Sequence, residues 1–119
     1  MAQLDGKKSK VIRPWGWYEN LSSGAGYLIK KLYVVAGQRL SLQLHNHRSE
    51  HWIIIRGVGI IELDGESKPI KAHDHIIIPV GTSHRVTATE QDLVILELQE
   101  GEMLAEEDII RLEDDYGRK

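Results

Sequence analysis

Cysteine is absent from the 119 residues, which removes disulfides and thiolate ligands together and suits a reducing compartment. Long apolar runs are missing as well. No stretch approaches the roughly 20 apolar residues of a membrane span, and the opening Met1-Ala-Gln-Leu-Asp-Gly-Lys-Lys lacks the apolar centre of a secretion signal. The expected location is the cytoplasm, with no membrane partner. An excess of positive charge is also lacking: 15 Lys and Arg against 18 Asp and Glu give a formal charge of −3 and a pI near 6.0. With no basic patch interleaved with aromatics, the chain carries no nucleic-acid footprint. Repeats, low-complexity segments and internal linkers are not evident. The length supports one core, expected over residues 11–119, with residues 1–10 as a mobile arm.

What the chain does have is histidine in one place. All six histidines lie between His45 and His84. In Leu40-Ser-Leu-Gln-Leu-His-Asn-His47 the strict alternation predicts a strand with Gln43, His45 and His47 on one side and Leu40, Leu42 and Leu44 on the other. Alternate imidazoles can reach a common point, and Glu50, just beyond, can add a carboxylate oxygen. His84 follows Pro79-Val-Gly81 as a further candidate. Imidazole and carboxylate suit a borderline divalent ion, with zinc, manganese, iron, nickel and cobalt all compatible. His73 and His75 precede the apolar run Ile76-Ile-Ile and read instead as a turn entering a strand.

Strand-like runs recur at 27–35, 40–45, 52–56, 59–63, 76–79, 85–88 and 93–98, separated by turn signals such as Asp64-Gly65. The fold class is therefore all-β, and short strands at this spacing suggest a double-sheet jelly roll. Residues 103–111 alone have helix-forming composition, giving a short C-terminal helix or turn.

These residues resemble the cupin superfamily. Its first motif matches Gly37, five residues, Gln43-Leu-His45, four residues, Glu50, six residues and Gly57, with glutamine in place of the first histidine. Pro79, Gly81 and His84 match the second motif, whereas His73 and Ala88 replace its glycine and asparagine. The blocks Arg13-Pro-Trp-Gly-Trp-Tyr, His45-Asn-His-Arg-Ser-Glu-His-Trp52, Pro79-Val-Gly-Thr-Ser-His-Arg85 and 106–118 resemble more narrowly the type II mannose-6-phosphate isomerase domain. In that family the domain commonly forms the C-terminal part of a bifunctional mannose-1-phosphate guanylyltransferase/mannose-6-phosphate isomerase. The nucleotidyltransferase half is not in this sequence.

The resemblance implies a cupin double-stranded β-helix and interconversion of mannose 6-phosphate and fructose 6-phosphate through an enediol. Type I phosphomannose isomerases, also cupins, use a Gln-x-His pair with a later Glu and His. By that likeness the ligands are Gln43, His45, Glu50 and His84, with zinc the first choice of ion; the competing set has His47 instead of Gln43. His47 is then the expected general base, a neutral imidazole following His45 on the same face, and Glu50 and Arg85 complete the expected catalytic group. Arginine grips phosphate bidentately, so Arg85 and Arg48 are the first candidates for the substrate phosphate, ahead of Arg111 and Arg118. Lys30 and Lys31 alternate, so at most one faces the cavity. Trp15, Trp52 and Tyr116 stack on sugar or fill core, with core favoured for Trp52. The leucine face and the two-sided apolar run Trp52-Ile-Ile-Ile55 need a cover: a second copy of the chain in a homodimer, or the segment Trp15–Leu21. Two other functions compete with the isomerase: a sugar-binding or regulatory cupin without activity, and a metal-dependent oxygenase.

Overall fold

Period-two alternation builds two antiparallel sheets packed face to face in the computed structural model, which describes residues 10–102, 104–105 and 108–118. Among the described residues the elements are β1 (Lys10–Arg13), β2 (Gly16–Gly24), β3 (Tyr27–Val34), β4 (Leu42–Leu44), β5 (Arg48–Arg56), β6 (Val58–Leu63), β7 (Glu66–Lys71), β8 (His75–Ile78), β9 (His84–Ala88), β10 (Leu93–Gly101) and β11 (Ile110–Glu113). One sheet has the order β1-β2-β3-β10-β5-β8 and the other β11-β4-β9-β6-β7. This is the jelly-roll arrangement of a cupin double-stranded β-helix. The expected Asp64-Gly65 turn is a two-residue hairpin between β6 and β7, with both residues at positive φ (50° and 86°), as a primed turn requires.

The tail differs from expectation. Among the described residues there is no helix, and Ile110–Glu113 pairs with β4 as a strand, Ile110 opposite Leu44 and Arg111 opposite Gln43. Helix preference amounts to only tenths of a kcal/mol per residue, whereas pairing gives the backbone groups of β4 and the tail their partners. Met103, Glu106 and Glu107 lie outside the described residues, as does the expected arm except for Lys10, which opens β1 opposite Glu19. No helix is long and apolar enough to cross a membrane among the described residues.

The interior changes character along its length. Inward positions run Ile54, Trp52, Glu50, Arg48 down β5, Ile95, Glu97, Gln99 along β10, and Val34, Leu32, Lys30 back along β3. Registers line these up: Ile95 faces Leu32 and Ile54, and Glu97 faces Lys30 and Trp52. From the other sheet Ile61, Val86 and Ala88 close the apolar end, while Gln43 and His84, directly paired, close the polar end. Gly57 makes the sharp passage from β5 to β6 possible. Its φ is +98°, and a Cβ there would lie 2.1 Å from the Asp92 carbonyl oxygen, closer than any side chain can be accommodated.

The expected apolar outer face divides in two. Leu42 and Leu44 are half-buried on the five-stranded sheet, whereas Ile53 and Ile55 are on the six-stranded one, 42% and 46% exposed. Leu40 precedes β4 and turns into the core instead of outward. The segment 15–21 covers neither patch. It joins the six-stranded sheet in plane as β2, sends Trp15 and Tyr18 into the core, and stacks Trp17 on Tyr33 with ring centroids 5.1 Å apart.

Candidate metal centre

His45, Glu50 and His84, all buried, bring one ligand atom each within 4.8 Å of one another. They come from three places: just past the end of β4, the beginning of β5 and the start of β9. The Pro79-Val-Gly81 turn ties them together, since Gly81 takes φ of +79° and its N–H donates to the His45 carbonyl at 2.8 Å. His45 Nε2 lies 3.2 Å from Glu50 Oε2, and His84 Nε2 lies 3.9 Å from Glu50 Oε1. Each imidazole uses its other nitrogen on a backbone carbonyl, His45 Nδ1 on Asp108 O at 2.6 Å and His84 Nδ1 on Thr82 O at 3.0 Å. Donation from Nδ1 leaves the Nε2 lone pair for a ligand, the usual arrangement around metal-binding histidines. Burial, reinforced by the Arg48 charge, holds His45 down to about 4, and burial lowers His84. Both rings are therefore neutral at pH 7, the form a metal requires.

Glu50 is fixed from both sides: Arg48 Nε donates to Oε2 and Trp52 Nε1 to Oε1, each at 2.9 Å. Trp52 is thus core and support at once, and its ring meets His84 edge-on at 5.8 Å. Arg48 Nη2 also lies 3.2 Å from His45 Nε2, so its guanidinium spans two of the three ligand residues. Gln43 is buried beside them, and its amide nitrogen points to Ser41 O at 3.4 Å, which leaves its carbonyl oxygen as the end able to ligate. The donor chemistry, two neutral imidazoles, a carboxylate and an amide carbonyl, fits a divalent ion of the zinc type.

The cavity in front of this cluster is lined by Gln43, His45, Arg48, Glu50, Trp52 and His84, together with Arg13, Trp15, Tyr18, Lys30, Glu97, Arg111 and Arg118. Its free space is about 60 Å³ and is partly open to solvent. An ion with its water fits that volume. Arg118 in that lining is held by Asp114 through a two-pronged pair at 2.9 and 3.0 Å, which keeps the Asp114 carboxyl down to about 2. Glu97, fully enclosed, is pushed up to about 7 by burial and by the Glu50 charge.

His47 and Arg85 are elsewhere. β4 ends at Leu44 and a bend at Asn46–His47 resets the alternation, so Arg48, not His47, takes the next inward position. His47 is exposed, outside the cavity lining, with its backbone N–H on Asp108 Oδ2. Arg85 is buried on the far side of β9, where Nε donates to Leu40 O, and Nη1 and Nη2 donate to Glu113, fastening β9 to β11. Arg48, Arg111 and Arg118 do reach the cavity, and of the two lysines it is Lys30 that faces in. Arg13 and the support from Asp108 carry no local signal in the sequence. Glu97 does carry one: Leu96-Glu-Leu-Gln99 has the same inward-polar alternation as Leu42-Gln-Leu-His45.

A metal-competent cluster inside a double-stranded β-helix defines a cupin, and solved structures agree on the fold. KdgF from Halomonas sp. superposes with a TM-score of 0.75 at 16% identity, covering 82% of this chain and 92% of that one. Oxalate decarboxylase from Bacillus subtilis gives a TM-score of 0.79 at 15% identity, covering 89% and 30%. More narrowly, the chain belongs to the family described as mannose-6-phosphate isomerase C-terminal, which it matches over residues 2–114. Its relatives include mannose-1-phosphate guanylyltransferase ManC of Salmonella typhimurium, 37% identical over 92% of this chain and 23% of that protein. Alginate biosynthesis protein AlgA of Pseudomonas aeruginosa is 40% identical over the same shares. The chain thus spans about a quarter of the length of these relatives.

Proposed function

We propose that the cavity interconverts mannose 6-phosphate and fructose 6-phosphate with a divalent ion held by His45, Glu50, His84 and Gln43. The observation that carries this reading is the joint lining of the cavity by the ligand cluster and five cationic side chains, Arg13, Lys30, Arg48, Arg111 and Arg118. A neutral sugar needs no such surplus of positive charge, whereas a sugar phosphate does. The chemistry the ion supplies when bound is polarisation of sugar oxygens and stabilisation of developing negative charge. Arg118 and Arg111 take the phosphate, while Arg48 stays with the ligand cluster, 2.9 Å from Glu50 Oε2 and 3.2 Å from His45 Nε2. Zinc is the first choice of ion, with manganese, nickel, iron and cobalt able to use the same donors.

The test is a coupled assay on mannose 6-phosphate with protein reloaded with each ion in turn, beside an oxygen-uptake measurement. Conversion that disappears on chelation supports the reading, and Arg118→Ala should raise KM more than it lowers kcat. Absence of conversion with every ion, despite stoichiometric binding, sinks it in favour of a binding module; oxygen uptake would favour the oxygenase.

We also infer that a second copy covers the outer face of the six-stranded sheet. Outward positions there include the register pairs Ile29 with Leu98 and Leu96 with Ile53, flanked by Lys31, His51, His75 and Ile77, and β2 continues the sheet in plane beyond β3. Ultracentrifugation at micromolar concentration decides it, and a clean monomer refutes it.

A further inference from the structure

One carboxylate in the cavity belongs to none of the ligand contacts. Glu97 turns inward from β10 and is 4% exposed, as is Lys30, its register partner on β3. Gln99 Nε2 donates to Glu97 Oε2 at 2.8 Å, and the Lys30 ammonium lies 4.2 Å from the Tyr18 ring centroid. Two residues along the same strands the facing pair is Leu32 and Ile95, so this register accommodates an apolar pair. An enclosed carboxylate and ammonium are costly in comparison, and stability does not account for them.

Isomerisation needs a group that takes a proton from one carbon and returns it to the next. Among the described lining residues, Arg13, Arg48, Arg111 and Arg118 are permanently charged cations, His45, Glu50 and His84 are occupied as ligands in the proposed holoprotein, and Lys30 and Tyr18 meet each other, ammonium over ring at 4.2 Å. His47 is outside. Glu97 is the carboxylate that is left.

We propose that Glu97 carries the proton between C2 and C1, with Lys30 as the positioning residue that holds it; this rests on the isomerase reading above. The carboxylate takes the C2 proton of the open-chain aldose. The C–H electron pair becomes the C1–C2 double bond, and the carbonyl pair moves to O1, giving the enediolate. The O2 proton passes to O1, the pair on O2 forms the new carbonyl, and C1 takes the proton back from Glu97. One carbon-bound and one oxygen-bound proton have moved, with no oxidant or reductant.

The experiment uses metal-loaded protein and mannose 6-phosphate deuterated at C2, following both conversion and loss of label. Glu97→Gln should lower kcat by about 10²–10⁴ with native metal content and KM, and should retain the C2 label. Glu97→Ala should recover part of its rate with added formate, which a structural role would not allow. Lys30→Met should lower kcat less and leave KM near native. Native turnover and label loss in Glu97→Gln overturn the proposal. If that variant fails to hold metal, Glu97→Asp is read instead: a fall of tenfold or more at native metal content supports the proposal and a native rate overturns it. A native protein that neither converts nor exchanges overturns the isomerase reading and this one with it; an active native protein with an active Glu97→Gln overturns only this one.

Discussion

The two ends of the barrel interior are built by the same strands and have opposite contents. At one end Ile54, Ile95, Leu93, Val34, Ile61 and Val86 are fully buried; at the other, Glu50, His45, His84, Glu97 and Lys30 are buried almost as deeply. The apolar end gains from burial at about 25 cal/mol per Å². The polar end loses hydration and recovers it only through fixed partners, such as Trp52 and Arg48 on Glu50. The apolar half therefore stabilises the fold, and the stiffness of the shared strands lets the other half hold groups that burial disfavours.

The strongest way to break this division is at a ligand. His84→Ala should reduce metal affinity by more than about a hundredfold, beyond the loss usual for a supporting partner, and abolish turnover, with metal content by mass spectrometry as the check. Ile95→Ala acts on the other half. It should cost about 2–5 kcal/mol in urea melts while the folded variant still binds metal one to one. A variant that lost metal at full stability from Ile95, or stability alone from His84, would erase the distinction.

Acid sharpens it further. In metal-free protein, burial and then the Arg48 charge depress His45 to about 4 from an ordinary 6.5. The unfolded chain therefore takes up a proton that the folded one refuses. The His45 contribution to stability, present above pH 6.5, should fall by about 3 kcal/mol as pH drops to 4. Glu97, raised to about 7 from 4.5, has the opposite sign, because the folded state takes up its proton first and gains as pH falls from 7 to 4.5. Urea melts across pH 7 to 4.5 should accordingly show a steeper loss in Glu97→Gln than in the native protein. Asp108→Ala removes the carboxylate that accepts from the N–H groups of Asn46 and His47 and should cost about 1–2 kcal/mol, with metal affinity lowered by about tenfold or more. Smallest of all for the single chain is Ile53→Lys, within about 0.5 kcal/mol at an exposed position, although it should convert a dimer to monomer in sedimentation.

Alternation made most of the sheet legible. The runs that became β3, β5, β6, β8, β9 and β10 carry clear apolar periods, and β4 carries the polar one that pointed to metal. β7 has only Ile70 buried and contains Pro69, which an edge strand tolerates, so its sequence has no period to read. β11 looks like helix because its strand character comes from β4 and not from itself. The candidate cluster was legible because Gln43, His45 and Glu50 lie within eight residues and His84 follows the Pro79-Val-Gly81 turn. Glu97 and Lys30 show inward alternation in their own strands, but that they meet each other and converge on the cluster with Arg13 is set by strand register, which no local window contains. His47 was misplaced for a definite reason: a two-residue bend shifted the inward phase from odd to even positions, exchanging it for Arg48.

His45 is oriented by the carbonyl of Asp108, 63 positions later in the chain. During synthesis every candidate ligand exists once His84 has been made, yet the bond that directs the His45 lone pair awaits a segment still to be translated. Capture of an ion in this geometry would therefore be a late event, and a nascent chain stalled before Asp108 would hold the donors without their alignment.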